Sequence, residues 1–179
     1  MTQEYAELHC VSNFSFQRGA SHPEELMTRA EALGYQALAL TDECSVAGVV
    51  RAHEAGQGRS CRLIVGTEVR LTEGDTLVLL AQNRRGYAEL CRLITRGRRA
   101  AVKGAYRLCR DDLGEGLANC LALWIPERGF ATAPQRGTGL KDAGTSVCWL
   151  AERFPGRSWI GVELLAGGCD RQQCKPCGA

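Results

Sequence analysis

Short apolar runs alternate along this chain with segments in which apolar residues recur every three or four positions. The first run, Glu7 to Val11, alternates polar and apolar side chains and predicts a half-buried strand. A polar loop follows, and Ser21 and Pro23 then predict the N-cap and the first position of a helix. A strand that delivers a histidine, His9, to a loop before a helix is how parallel α/β folds place ligands.

The same alternation predicts five more strands and three more helices. The strands are predicted at 36–40, 62–69, 76–81, 120–125 and 158–165, and a tight turn at 73–75 makes a hairpin of the third and fourth strands. Helices are predicted at 45–55, from about 87 to 98 and at 142–154, with a short helical turn at 111–113. Repeated strand–helix units favour a parallel sheet or a barrel.

The spacing of apolar residues also predicts which helix faces point inward. These faces are predicted at Leu26, Ala30 and Leu33, at Val46, Val49, Val50 and His53, at Tyr87, Leu90, Cys91 and Ile94, and at Val147, Leu150 and Ala151. Gly34 is expected to close the first helix, and His22, near its start, is expected to be exposed. A Gly-, Pro-, Thr- and Gln-rich stretch at 127–139 predicts a mobile loop.

Composition places the chain among single-domain proteins. It has 179 residues, of which 45% are hydrophobic, enough to bury a core. No apolar run approaches the roughly 20 residues of a membrane span, and the N-terminus lacks the pattern of a secretion signal, so we expect a cytoplasmic protein without membrane contact. Walker, dinucleotide-binding and nucleophile-elbow motifs do not occur.

Charge is distributed unevenly although the net charge is only +2. From Arg84 to Arg110 there are nine basic residues and one acidic residue, Glu89, which gives +8 locally and leaves −6 for the remainder. This asymmetry predicts a polyanion-binding surface, with a solvated helix face as the alternative. The candidate nucleic-acid-binding residues are Arg92, Arg96, Arg98, Arg99 and Lys103.

The ten cysteines do not indicate a disulfide framework. Seven are scattered through the predicted strands and helices and are interpreted as small buried hydrophobes or incidental thiols. The other three, Cys169, Cys174 and Cys177, lie together near the end and suggest zinc by their CxxC spacing. No fourth ligand is apparent nearby, so an irregular tail is the favoured interpretation of residues 166–179.

Several long blocks of the chain resemble the PHP (polymerase and histidinol phosphatase) domain found at the N-terminus of bacterial C-family DNA polymerases. They are LHCVSNFSFQRGASHPEEL, ALGYQALALTDECSVAGVVRAH, LIVGTEVRL, LVLLAQNRRGYAELCRLITRGRR and KGAYRL. The likeness is strongest to the error-prone, damage-induced branch. It implies an α/β fold, a PHP-type distorted (β/α)7 barrel. Because only six strands are found, we expect an incomplete barrel, with a partial PHP domain at 1–165.

The resemblance also implies a metal site at the C-terminal ends of the strands, which in this family can hydrolyse phosphoesters. His9 matches the first member of the family's His-x-His pair, but Val11, which has no lone pair, occupies the second. Glu43 replaces the histidine of a Thr-Asp-His motif, and Glu68 matches the family's glutamate. The expectation is a degenerate site without hydrolytic residues: either one weakly held divalent metal, zinc or manganese, at His9, Glu43 and Glu68, or a histidine satisfied by hydrogen bonds.

The resemblance implies one of two alternative functions. The first is the truncated PHP portion of an error-prone DNA polymerase that acts in DNA replication and repair, SOS mutagenesis and translesion synthesis. The full-length relative would carry out magnesium-dependent nucleotidyl transfer on DNA, with the sliding clamp and other mutagenesis proteins as partners. This chain lacks the polymerase palm and would be an inactive scaffold. The alternative is a free-standing PHP metal-dependent phosphoesterase.

Overall fold

The computed structural model describes residues 4–114, 117–126 and 139–162 of the chain. The strands are β1 (Ala6–Cys10), β2 (Ala37–Leu40), β3 (Arg62–Arg70), β4 (Thr76–Ala81), β5 (Cys120–Ile125) and β6 (Ser158–Ile160). The helices are α1 (Pro23–Ala32), α2 (Val49–Gly56), α3 (Arg84–Arg99) and α4 (Gly139–Arg153), with a 3-10 turn at Arg110–Leu113. None of the helices in the described ranges is long and apolar enough to cross a membrane.

The six described strands form one sheet in the order in which they occur along the chain. β1, β2 and β3 are parallel, β4 is antiparallel to both of its neighbours, and β5 is parallel to β6. Five strands therefore point the same way, and β4 alone is reversed, as the predicted hairpin requires. The result is a curved α/β sheet that forms an incomplete distorted barrel, which confirms the predicted fold class.

Both faces of the central strands are buried, which explains their continuous apolar runs. On the helix side, Leu38 and Leu40 of β2 pack with Met27 of α1 and Ala52 of α2. A second cluster on that side joins β3, β4 and β5 to α3 and α4, with Leu90 and Phe154 fully buried. The opposite, concave face holds the alternate residues of the same strands: Ala39, Val78, Leu80, Leu123 and Ile125.

The N-cap of helix α1 lies one residue later than predicted, although the first helical residue is the predicted one. The N-cap is His22, not Ser21, and its backbone N–H donates to the carboxylate of Glu25 over 2.8 Å. Pro23 occupies the first helical position, as predicted, and Gly34, at φ +76°, takes the left-handed conformation expected after a helix end. Leu33, predicted to be buried, is half exposed because the helix ends at Ala32.

Helix α2 is shorter than predicted because the chain at 45–48 is bonded elsewhere. The backbone N–H of Ser45 donates to the hydroxyl of Thr67 in β3, and Gly48 lies so close to α1 that a Cβ there would stand 3.0 Å from Pro23 Cγ. His53 and Val50 are exposed, so their predicted packing in the core is wrong; Ala52 is the buried residue of this helix.

At the C-terminal end, α4 begins at Gly139, before the predicted start at residue 142. Leu150 faces the core as predicted, whereas Ala151 is exposed. Strand β6 is described to Ile160, so residues 163–165 of the predicted strand lie outside the described ranges. The loop predicted at 127–139 lies outside them as well, apart from Gly139, and so does the cysteine tail.

Candidate metal centre

The sheet brings together the three residues that the sequence proposes as metal ligands. Beyond the end of β2, Glu43 pairs with Glu68 of β3 in an isolated parallel bridge. His9, near the end of β1, places its Nε2 atom 2.9 Å from Oε2 of Glu68. Because a carboxylate only accepts hydrogen bonds, the Nε2 position of His9 carries the proton in this contact. The parallel strand ends thus gather these side chains as expected.

A fourth residue, Arg18, lies between the two carboxylates. Its guanidinium donates to both oxygens of Glu68, over 2.6 Å to Oε1 and 2.8 Å to Oε2. The same group donates to Oε2 of Glu43 over 2.9 Å. Arg18 belongs to the loop at residues 11–22 that joins β1 to α1, hereafter the β1–α1 loop. Arg70, which is more exposed, lies 3.4 Å from Glu68 and 3.9 Å from Glu43, so the site is a charge-paired cluster of two arginines, one histidine and two glutamates.

Glu68 is the buried centre of this cluster, with a side chain only 1% exposed. Burial raises the pKa of its carboxyl group, but the hydrogen bonds from His9 and Arg18 outweigh burial and lower that pKa to about 2. The same contact with Glu68 raises the pKa of the Arg18 guanidinium. Glu68 is thus a carboxylate, and Arg18 a cation, at neutral pH.

Asp42, the acid next to Glu43, is committed to the β1–α1 loop. Its Oδ1 accepts the Ser12 backbone N–H over 2.8 Å and the Ser15 hydroxyl over 2.6 Å, while Oδ2 accepts the Ser12 hydroxyl over 2.8 Å. Ser15 in turn accepts the backbone N–H of Glu43. All these groups except Glu43 are nearly or fully buried. The carboxylate of Asp42 therefore holds the loop on the end of β2 by three hydrogen bonds.

Glu43 connects the cluster to the segment that follows α3. Its Oε1 accepts the hydroxyl of Tyr106 over 2.9 Å, and burial together with the charge of Glu43 raises the pKa of that phenol. Arg98 of α3 lies over the Tyr106 ring at 5.4 Å and donates to the backbone carbonyls of Glu43 and Cys44. The C-terminal end of α3 is thereby fastened to the turn that carries Glu43.

The backbone around the cluster adopts unusual conformations. Among the described residues, the two non-glycine positions with positive φ are Gln17, at +61°, beside Arg18, and Cys44, at +44°, beside Glu43. Gly19 is required for a different reason: a Cβ there would stand 2.1 Å from the carbonyl oxygen of Ser12. Strained positions of this kind are maintained where surrounding contacts over-determine them, as they do here.

The remaining candidate ligands do not join the site. His22 is exposed, as expected, and contacts Asn13, while His53 lies exposed on α2. The seven described cysteines are free thiols. Burial raises the pKa of Cys44, the thiol nearest to Glu43, to about 11, so it is not a thiolate ligand at neutral pH.

The predicted nucleic-acid-binding residues are all exposed, but they fall into two groups. Arg96 contacts Asp112, and Arg98 contacts Tyr106 and the turn at Glu43, so both are engaged within the chain. The second group consists of Arg92, Arg99 and Lys103, which make no ion pair or side-chain hydrogen bond with the described residues. Phosphate binding by this surface stays a prediction.

Sequence reasoning missed Arg18 and Tyr106 as members of the site. A usable signal existed for Arg18: two carboxylates at neighbouring strand ends, with Val11 in place of a ligand, require another positive group. Arg18 is the first arginine or lysine of the chain and lies in the loop that follows the first strand. Tyr106 gave no such signal because it lies 63 positions from Glu43.

The PHP domain model matches residues 7–133, more than half of the chain. The chain belongs to the PHP domain family. An error-prone DNA polymerase of Pseudomonas aeruginosa is 56% identical over 167 residues, covering 93% of this chain and 15% of the relative. One of Methylococcus capsulatus is 55% identical, again over 93% of the chain and 15% of the relative. The chain therefore spans about one-seventh of the length of these polymerases.

Solved structures support the fold assignment. A Bifidobacterium adolescentis protein assigned as a metal-dependent phosphoesterase superposes with a TM-score of 0.67 at 12% identity, over 96% of this chain and 81% of that one. A Chromobacterium violaceum amidohydrolase structure with bound sulfate and no metal gives a TM-score of 0.58 at 18% identity, over 87% and 75% of the two chains. At these identities the likeness concerns the fold alone.

Proposed function

We propose that this chain is the N-terminal PHP portion of an error-prone DNA polymerase that acts in damage-induced mutagenesis and translesion synthesis. Support comes from the names of its relatives and from the 15% of their length that the chain spans. In this proposal, the rest of such a polymerase performs DNA-templated nucleotidyl transfer with magnesium. DNA, the sliding clamp and other mutagenesis proteins are its partners, in the cytoplasm.

Within that polymerase, the domain acts as a scaffold and not as a hydrolase. The observation that carries this proposal is the state of the carboxylates at the strand ends. Both oxygens of Glu68 and both oxygens of Glu43 accept hydrogen bonds from protein groups. A hydrolytic metal centre needs such oxygens as ligands, together with an open position for water. Here they hold together the loop and strands of the domain.

Phosphodiester hydrolysis tests the scaffold proposal. The purified chain, incubated with manganese and bis(p-nitrophenyl) phosphate, is expected to release no nitrophenolate above a metal-free blank. The matched control is His9→Ala, which removes the one histidine at the site. Turnover by the parent chain that is lost in His9→Ala would overturn the scaffold proposal.

The second candidate function, a free-standing metal-dependent phosphoesterase, is favoured by one observation, the fold similarity at a TM-score of 0.67 to a protein assigned that activity. The two candidates differ in what the coding sequence encodes beyond Ala179. Continuation into a polymerase palm would support the first. A stop codon, together with manganese-dependent turnover in the preceding assay, would support the second.

A further inference from the structure

The β1–α1 loop is shaped to place one positive charge at the strand ends. Gln17, with φ +61°, precedes Arg18, and Gly19 follows it at a point where a Cβ would meet the Ser12 carbonyl oxygen at 2.1 Å. The backbone therefore turns back on itself on either side of Arg18. Ser12 and Ser15 fasten the loop to Asp42, so the guanidinium is delivered from an anchored segment.

The guanidinium reaches two acidic side chains, Glu43 and Glu68, and its own side chain is 30% exposed. Glu68 also accepts a hydrogen bond from His9. The two-pronged contact of the guanidinium with Glu68 is the geometry in which arginine binds a carboxylate most strongly. Arg70 lies 3.4 Å from Glu68, but its side chain is 56% exposed, so water screens its charge. A carboxylate that is 1% exposed would be very costly to bury without such a partner.

The same residues do not fit a metal ion. A dication would have to displace protein donors, the cationic Arg18 among them, because the oxygens of Asp42, Glu43 and Glu68 all accept hydrogen bonds from the protein. The Nε2 of His9 donates to Glu68, and Val11 offers no lone pair. In the described ranges, no group of three or more His, Cys, Asp or Glu residues is arranged to hold a metal ion.

We propose that Arg18 is the resident cation of this site. Its guanidinium joins the β1–α1 loop to the ends of β2 and β3 in the place where the fold family implies a metal, so the chain needs no metal to be stable. The proposal goes beyond the polymerase assignment. Its tests measure stability and metal content. They can therefore contradict the role of Arg18 while the hydrolysis assay supports the scaffold proposal, or support that role while the assay contradicts the scaffold proposal.

The first test compares two arginine substitutions by thermal unfolding. Arg18→Met leaves Glu68 buried without its main partner and is expected to lower Tm by about 10 °C. Arg51→Met is the matched control, because Arg51 pairs with Glu24 where both side chains are well exposed. That control is expected to change Tm by about 2 °C or less. An equal effect of the two substitutions would overturn the proposal.

The second test removes the negative charges together with the positive one. The triple variant Arg18→Met, Glu43→Gln, Glu68→Gln carries no unpaired buried charge and is expected to have a higher Tm than Arg18→Met alone. If Arg18→Met does not fold, a folded triple variant gives the same answer by circular dichroism. A triple variant that is no more stable than the single one shows that Arg18 does not act by neutralising charge.

The third test concerns metal directly. The parent chain, purified without added metal, is expected to contain far less than one equivalent of zinc or manganese by elemental analysis. Its Tm should be unchanged by EDTA. Stoichiometric metal in the parent chain, or a fall in its Tm with EDTA comparable to that of Arg18→Met, overturns the proposal and supports a metal at His9, Glu43 and Glu68 instead.

Discussion

The buried carboxylate of Glu68 at the strand ends makes the stability of this domain sensitive to low pH. The folded-state pKa of Glu68 is about 2, below its ordinary value of 4.5, because the bonds from His9 and Arg18 outweigh burial. A group whose pKa is lowered by folding stabilises the fold above its unfolded-state pKa. That contribution is lost as the pH falls from about 4.5 towards 2, and it amounts to about 3 kcal/mol.

We therefore expect Glu68→Gln to flatten the acid limb of the stability curve. Between pH 5 and pH 2.5, the free energy of unfolding of the parent chain should fall more steeply than that of the variant, because only the parent has the carboxylate to protonate. Urea denaturation at several pH values measures the difference. Glu54→Gln, at an exposed position on α2, is the control and should follow the parent curve. Parallel curves for the parent and Glu68→Gln would contradict this account.

The residue scale also shows where reasoning from the sequence succeeds and where it stops. His9, Glu43 and Glu68 were found because parallel strands end at one edge and each of these residues lies at or near such an end. Arg18 was not assigned to the site, because its position depends on the path of the β1–α1 loop. That path is set by contacts such as the one between Gly19 and Ser12, which no periodic pattern of apolar residues indicates. Loop geometry is set by tertiary packing, which a local sequence pattern does not encode.

At the scale of elements, burial on both faces made strands easier to predict than helix faces. The run Cys120–Ile125 was predicted with its observed bounds because its apolar residues are continuous. The face predicted for helix α2 is only partly right, because its sequence offers apolar residues on two sides: Val49 packs against the core, whereas Val50 and His53 are exposed. Contact with α1 decides between the two sides: Gly56 lies against Met27, which turns Ala52 inward and leaves His53 exposed.

Helix α3 combines two roles on one element. Its apolar side buries Leu90 and Leu93 in the core, and its C-terminal Arg98 supports the turn at Glu43. The engaged arginines of this helix are unsuitable for a binding test, because their loss would disturb the fold. A binding test is better made on Arg92, Arg99 and Lys103, the exposed basic residues that have no partner among the described residues.

We expect replacement of Arg92, Arg99 and Lys103 by alanine to weaken binding to duplex DNA without changing the melting temperature. Each lost phosphate contact should reduce the slope of log affinity against log salt by up to about 0.9. Fluorescence anisotropy on two unrelated duplexes at several salt concentrations measures both the slope and any sequence preference, which should be small.

The control for this experiment replaces Arg29, Arg51 and Arg62, which removes the same charge from other parts of the domain. The control should keep most of the parent's affinity and slope. An equal loss of affinity in both triple variants would show that DNA binding depends on the net charge of the chain alone. No binding by the parent at low salt would show that the basic face is only solvated.

At the scale of the whole molecule, the sheet formed by the described residues is open. β1 and β6 each pair with a single described neighbour, and they flank an apolar groove of about 920 Å³ on the concave face. Trp159, Ile160 and Val162 along this groove are each at least half exposed. Unpaired strand edges and exposed apolar patches both favour association with other chains.

The isolated 179-residue chain is therefore expected to self-associate, with a sedimentation coefficient that rises with concentration. The double variant Trp159→Lys, Ile160→Thr should shift the distribution towards monomer, because it places a charge and a hydroxyl on the exposed rim of the groove. Val102→Lys is the matched control, since Val102 is 79% exposed but lies after α3 and does not line the groove. Analytical ultracentrifugation of the three proteins at the same concentrations makes the comparison. A parent chain that stays monomeric and melts in one sharp, reversible transition would show that these residues form a self-sufficient unit in which the groove attracts no second chain.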